Sequence, residues 1–432
     1  MRMLTPKDGD YATEVAGFNA TAITTPDVVV CATSAADIVE AVRYARARGH
    51  ALHVQATGHG GPHPIRSGVL VSTKRMDTVS VDAGTKIATI GAGAQWAPVF
   101  VAAAQHGLAP ITGSATNVGV VGYLLGGGLG PLARSHGVSS DYLVSATVVT
   151  GAGELIEANA DSHPDLFWAL RGGKFGLGIV TEVRVRLVEL RTLHAGSLMF
   201  DEPHIEAALR GWVDYTHSAA PDVTTSVAIA RFPQTDRIPE PLRGRRLLAL
   251  RFAHPGALAD GARLAAPLRA IAPIYIDNLG ELAAAEMARI HNDPPGPVPS
   301  WSRGGLLERI DQDFATTLLG HVGAGTDAPF IAAEVRHLGN ATTRDVPGGS
   351  AVGGRSAAFT FSLIGAPRPE LFETVVPDAA ERVFASLAPW LSNEITINFI
   401  GEPADPARLA TAWPPEIAAR LDAIRRRYGA TI

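Results

Sequence analysis

The sequence predicts an α+β protein built from two units, and three observations carry this. Short apolar strands alternate with helical segments over the first hundred residues. Three glycine-dense stretches punctuate residues 54–178. Beyond about Leu190 the chain changes to long strands interleaved with amphipathic helices, the pattern of an antiparallel sheet covered by helices. With 432 residues, 46% of them hydrophobic, the chain exceeds a single compact core and has room for two or three units.

Taken in order, Val28–Val30 predicts a strand. Thr33 or Ser34 can then cap a helix from Ala35 to about Arg48 that Gly49 stops. Ile38, Val42 and Ala45 mark its apolar face. Leu52–Gln55 and Val69–Ser72 follow as strands. Val79–Val81 and Ile87–Ile90 predict a hairpin, and Gln95–His106 a helix ended by Gly107. Val144–Thr150 and Leu155–Ala158 form a second hairpin. Pro164–Leu170 is a short helix and Ile179–Val188 a long alternating strand. In the second unit, strands are expected at 194–200, 225–231, 246–253, 330–337 and 357–364. Helices are expected at 202–217, 257–271, 304–320 and 373–388. A strand over Ile395–Ile400 and a helix over Pro415–Arg427 close the chain.

Composition excludes several classes. Charged residues make up 18% and the formal net charge is −5. No basic run suggests nucleic acid as a partner, and no span of about 18 apolar residues suggests a membrane helix. The start, Met1–Asp10, lacks the apolar core of a signal peptide, so a cytoplasmic protein is expected. Cys31 is the only cysteine, which excludes an internal disulfide and a cysteine-based metal site. His59 and His63 are four apart, but Gly60, Gly61 and Pro62 between them forbid the helix a metal pair would need, so no metal is expected. Gly126–Gly130 is glycine-rich, yet no acidic residue lies about 20 positions on as a dinucleotide fold requires. The segments Gly172–Phe175 and Gly348–Val352 fall short of a phosphate loop and a hydrolase elbow. His291-Asn-Asp-Pro294 reads as a structural turn in preference to a catalytic site.

The first glycine stretch, Val54-Gln-Ala-Thr-Gly-His-Gly-Gly61, ends a strand in a turn whose N–H groups can approach an anion closely. The second, Gly113–Gly130, is too rich in glycine for an ordinary helix interior and suits backbone packed against a flat ligand. The third, Gly172–Gly178, follows Asp165-Leu-Phe-Trp-Ala-Leu-Arg-Gly-Gly173. In this order and spacing, and with Asn398-Phe399 near the end, the chain resembles the berberine bridge enzyme-like oxidases. These are FAD-linked flavoproteins of the vanillyl-alcohol-oxidase group. The resemblance runs from about Tyr11 to Tyr428.

The resemblance implies a two-part PCMH-type FAD-binding domain, formed by residues 1–190 and a tail at 395–432, with a substrate domain inserted at 191–394. It implies that FAD is lined by Gln55, Ala56, Thr57, Gly58, His59, Gly60 and Gly61 of the first loop. From the second it implies Ser114, Ala115, Asn117, Val118, Gly119, Val120, Gly122, Tyr123, Gly127, Gly128 and Gly130. Gly178, Ile179, Val180, Asn398 and Phe399 complete the set. It further implies a covalent bond from His59 to the flavin 8α-methyl group. Ala115 stands where the family often has a second, cysteine link, so attachment through His59 alone is expected. Val120 falls near the reactive flavin edge, where a small side chain leaves room for O2.

The chain departs from the family in two respects. Its usual tyrosine base is replaced by Phe399 and Ile417, and the asparagine of its third loop is absent. Replacement bases are therefore sought on the strand Phe330–Leu338. Period-two alternation puts Glu334 and Arg336 on one face and His337 on the other. An Arg–Glu pair that merely stabilises the sheet is the competing reading. Tyr123 is a further candidate. The expected activity is transfer of hydride from a small organic substrate, an alcohol, sugar or polyketide, to FAD, with O2 reoxidising the flavin to give hydrogen peroxide. A flavin-dependent cyclase or oxygenase and a non-catalytic flavin carrier are the alternatives. The oligomeric state is open.

Overall fold

The computed structural model describes residues 1–60, 64–402 and 406–429. The first sheet runs Arg2–Leu4, Val28–Cys31, Val69–Ser72, Leu52–Gln55, and its last three strands are parallel. The helix Ala35–Arg48 crosses between two of them. Its N-terminus is closed by the Ser34 hydroxyl, which accepts from the Asp37 amide, and its C-terminus by Gly49 at φ 65°, a left-handed position that glycine takes without steric cost. Ile38, Ala41, Val42 and Ala45 are its buried face. The strand Leu52–Gln55 thus ends where the first glycine loop begins.

A five-stranded antiparallel sheet follows, in the order Val79–Asp82, Ile87–Gly91, Ile179–Arg186, Leu143–Val149, Leu155–Ala158. The third glycine loop leads directly into its central strand. Within the second glycine stretch, Val120–Leu124 forms a short helix that the glycine content argued against.

The third sheet has nine strands, including Thr192–Asp201, Arg246–His254, Thr224–Arg231, Phe330–His337, Phe359–Gly365 and Ser302–Leu307 as neighbours in that order. Its two faces differ sharply. The cross-strand row Leu198, Leu250, Val227, Val335, Phe361 is wholly apolar. It packs under the helices Ile205–Thr216, Leu258–Arg269, Gln312–Val322 and Val375–Ser386. The adjacent row Ser197, Arg251, Ser226, Arg336, Thr360 is polar and points the other way. A pleat of period two puts these rows on opposite faces.

Two expected elements are corrected. Residues 304–320 are not one helix. Ser302–Leu307 is a strand and Gln312–Val322 is the helix, which Asp311 caps by accepting from the Phe314 amide. Ile395–Ile400 is not a strand either. Ile397–Phe399 is a 3-10 turn, and the strand is Gly401–Glu402, paired with Ser302–Arg303. The tail therefore touches the large sheet before its last helix, Pro415–Tyr428, buries Leu421, Ile424 and Tyr428 in the same core as Leu166 and Leu170. That core also takes in Leu193 and Met287, so it is continuous across residue 190. Among the described residues no helix is long and apolar enough to cross a membrane, and no cluster of three metal-ligating side chains occurs.

Candidate active site

The three glycine stretches and the tail are cross-tied at one place. The Thr57 hydroxyl of the first loop accepts from the Gly119 amide of the second at 3.3 Å. The Lys174 ammonium, on the third, donates to the Gly122 carbonyl at 2.7 Å and to the Asn398 side chain of the tail at 2.8 Å. Asn398 in turn donates to the Tyr123 carbonyl at 2.9 Å. From the last helix, Arg425 donates to the Gly173 and Phe175 carbonyls at 3.0 Å each.

Glycine is required at particular points of this junction. A Cβ on Gly58, at φ 72°, would lie 2.7 Å from the Gly17 Cα, and one on Gly126 only 2.0 Å from the Asn398 Oδ1. Gly128 leaves room for the Tyr123 ring, which a Cβ there would meet at 2.3 Å. Residues 113–118 stay half-buried at the edge of this cradle.

His59 sits at its centre. Its ring stacks on Phe18 with centroids 3.7 Å apart. Nδ1 is 2.9 Å from the Thr57 hydroxyl, while Nε2 is buried without a partner. Burial pushes the imidazole down to about 4, so at neutral pH it is uncharged and keeps a lone pair for bonding. Gly61 and His63 lie outside the described residues.

The other expected cofactor residues take varied places. Gln55 turns away to the Val15 carbonyl. Ala56 lies beside Gly119. Gly60 lies beside the Lys174 ammonium. Asn117 donates to the Pro294 and Pro295 carbonyls, tying the second loop to a segment of the large-sheet unit. Val120, Ile179 and Val180 point into the core, and Val118 packs against it. Ser114 and Ala115 are half-buried, and Gly122 is exposed. Gly130 and Gly178 hold close backbone approaches, the tightest being 1.8 Å between a Cβ on Gly130 and the Thr112 carbonyl, while Gly127, at φ 92°, faces the Val352 and Val138 side chains.

Of the catalytic candidates, Glu334 and Arg336 stand on the polar face. The Glu334 carboxylate accepts from Arg251 at 2.6 Å and from Arg336 at 2.8 Å. Burial alone would raise its carboxyl, but the two guanidinium groups outweigh that and hold it below the ordinary range. The Arg336 guanidinium lies 5.3 Å over the Phe399 ring, next to Asn398. His337 is on the opposite face, stacked on Phe359 and 2.9 Å from Arg134. Tyr123 lies under them with its hydroxyl buried and unpartnered, pushed up to about 12 mainly by burial. Two surface hollows, of about 410 and 480 Å³, lie elsewhere, beside Tyr215 and beside Arg191.

Sequence reasoning missed Phe18, Lys174, Arg251 and His291. A signal for Lys174 existed, because it is one of four lysines in the chain and stands inside a glycine loop. Phe18 and Arg251 become visible only through their contacts.

These residues fit FAD. Several of the cradle's glycines are required by close approach of the chain's own atoms, while a Cβ on the exposed Gly122 would meet nothing within 4 Å. A buried imidazole nitrogen at the cradle's centre lacks a partner. A profile of the FAD binding domain matches residues 26–159. The chain is 28% identical over 431 residues to (R)-6-hydroxynicotine oxidase of Paenarthrobacter nicotinovorans, covering 93% of this chain and 88% of that protein. It is 32% identical to an FAD-dependent monooxygenase of Penicillium roqueforti, but over only 44% of this chain and 38% of that one. The fold superposes on the crystal structure of 6-hydroxy-D-nicotine oxidase from Arthrobacter nicotinovorans with a TM-score of 0.84 at 23% identity, covering 99% and 94% of the two chains. A carbohydrate oxidase from Microdochium nivale gives 0.84 at 18% identity over the same shares. The matched FAD binding domain and the likeness to a named oxidase over nearly the whole chain support an FAD-linked oxidoreductase. Within that class the chain has a PCMH-type FAD-binding domain and the berberine bridge enzyme-like fold.

Proposed function

We propose that the protein is an oxidase that takes hydride from a small organic substrate onto FAD held covalently by His59, with O2 as the terminal acceptor and hydrogen peroxide as product. FAD, when bound, supplies the two-electron redox chemistry. The chain's residues hold and orient. Thr57 and Phe18 fix the imidazole plane, and Lys174 and Asn398 lock the loops around the ring. Arg336 and Glu334, with Tyr123 below, form the wall against which substrate is placed. His337, on the far face, is not part of this proposal. The observation that carries the reading is the His59 ring, neutral, stacked and with one buried nitrogen open, at the meeting point of three glycine loops and the tail. The names of relatives, a hydroxynicotine oxidase and a carbohydrate oxidase, support an alcohol, amine or sugar as substrate.

The test is an absorbance spectrum of the purified protein, repeated on the acid-precipitated pellet. Yellow colour retained in the pellet, and lost from it in His59→Ala, is the expected result. Colour released to the supernatant would refute the covalent link. Absence of flavin even after adding FAD would refute the whole reading.

A further inference from the structure

We propose that His291 is the proton acceptor of the oxidation, a catalytic residue that takes the substrate's O–H or N–H proton from the polar face of the large sheet. The inference rests on the oxidase reading above. His291 follows the 3-10 segment Ala284–Ile290, anchored by buried Ala284, Met287 and Ile290. Asn292, at φ 55°, turns the chain immediately after it and bonds back to the Ala288 carbonyl at 2.8 Å. This geometry drives the imidazole inward, where its side chain is only 4% exposed. Neither ring nitrogen has a hydrogen-bond partner. Leaving such buried polar atoms unsatisfied is costly, so an imidazole with both positions open is poised for a third party.

The other groups on this wall are already committed. Both Glu334 oxygens are bonded to guanidinium groups, which makes the carboxylate a weak base. The Tyr123 hydroxyl is too firmly protonated to serve. Among the described residues of this face His291 has both ring nitrogens unengaged; His337 Nδ1 is unpartnered too, but it stands on the opposite face. Burial first, and then Arg251 and Arg336, hold the His291 imidazole well below its ordinary value; the acidic groups near it are Glu334, whose Oε1 lies 3.8 Å from its Nε2, and Asp293 two residues on. A small closure of the 3.8 Å gap gives a His–Glu dyad in which the carboxylate compensates the imidazolium. In the step, the substrate's C–H hydrogen would leave with its bonding pair as hydride, which FAD, when bound, would take up. The substrate's O–H or N–H proton passes to His291, and a C=O or C=N bond forms.

The experiment compares wild type, His291→Gln and His291→Ala as flavin-loaded proteins. Each is mixed without oxygen with 6-hydroxynicotine, xylobiose and benzyl alcohol, and flavin bleaching is followed with the fastest of these for wild type. Both variants are expected to keep the flavin spectrum. His291→Gln should bleach about 10²–10⁴-fold more slowly, the range of a lost general base. Added imidazole should restore His291→Ala, and 4-methylimidazole, being more basic, should restore it more. Bleaching within threefold of wild type in both variants, or no rescue, overturns the proposal. So does loss of flavin from both, which would make His291 a packing residue. If no probe bleaches yellow wild-type protein, the oxidase reading fails and takes the inference with it; colourless wild type would instead sink the flavoprotein reading.

Discussion

Replacing Thr57 by valine isolates the contact on which the site's geometry depends. Valine keeps the shape and β-branching of threonine and removes only the hydroxyl. That oxygen has two partners, the Gly119 amide at 3.3 Å and His59 Nδ1 at 2.9 Å. Gly119 is buried, so its orphaned N–H costs about 1–3 kcal/mol, and the lost imidazole bond about 0.5–1.5. The sum is a destabilisation of about 1.5–4.5 kcal/mol in the flavin-free protein, read from urea unfolding. The same loss frees the His59 ring to rotate about its stack on Phe18. A bond of about 1–1.4 kcal/mol corresponds to about a five- to tenfold change in rate. Covalent attachment, timed by acid precipitation after FAD is added to the flavin-free protein, should slow by that factor while FAD still binds. If Thr57→Val matched wild type in both stability and attachment rate, Thr57 would neither tie the first two loops nor orient His59, and the reasoning would be wrong.

Two further outcomes follow from buried charge. His59 is pushed down to about 4 and His337 to about 3, in both cases chiefly by burial. Each binds fewer protons folded than unfolded between its ordinary value near 6.5 and the folded value, so stability is full above about pH 6.5 and falls on acidification. The slope is up to about 1.4 kcal/mol per pH unit for each histidine. Urea midpoints of the flavin-free protein between pH 7.5 and 5 should show it, and His337→Phe should flatten the slope. Glu334→Leu leaves the Arg251 and Arg336 guanidinium groups buried without their carboxylate, and should cost about 3–5 kcal/mol by the same assay; a loss under 1 kcal/mol would mean that the pair is solvated.

Elements whose signals are local were legible in the sequence. The helix Ala35–Arg48 carries its own cap at Ser34 and its own stop at Gly49, and its bounds follow from those residues alone. The glycine loops were legible because runs so dense in glycine suit neither a helix nor a strand. The strand Ser302–Leu307 was not. Leu306, Leu307 and Ile310 suit a helical or an extended spacing equally. What decides between them is the neighbouring strand Phe359–Gly365, together with the Phe399 carbonyl, which would lie 1.8 Å from a Cβ on Gly304. His291 was read as a turn residue, and the turn is real. Its function candidacy comes from burial against Arg251, Glu334 and Arg336, which arrive from two other strands and leave no mark near position 291.

The same contrast separates the glycine loops from the large sheet. The loops must meet a fixed cofactor, so nearly every position there is set by close backbone approach, and a side chain cannot be exchanged freely. The sheet's polar row has no such constraint. Its apolar back face already buries enough side chains under four helices to hold the fold, which leaves the front free to carry Arg251, Glu334 and Arg336. Their three formal charges sum to +1. The resemblance puts Phe399 and Ile417 where the family often has a tyrosine base, so by that match neither tail position supplies one. A group moved to the wall must come from a segment reaching over that front face. The turn after Ile290 does so, and it delivers an imidazole beside a carboxylate whose own valences are filled.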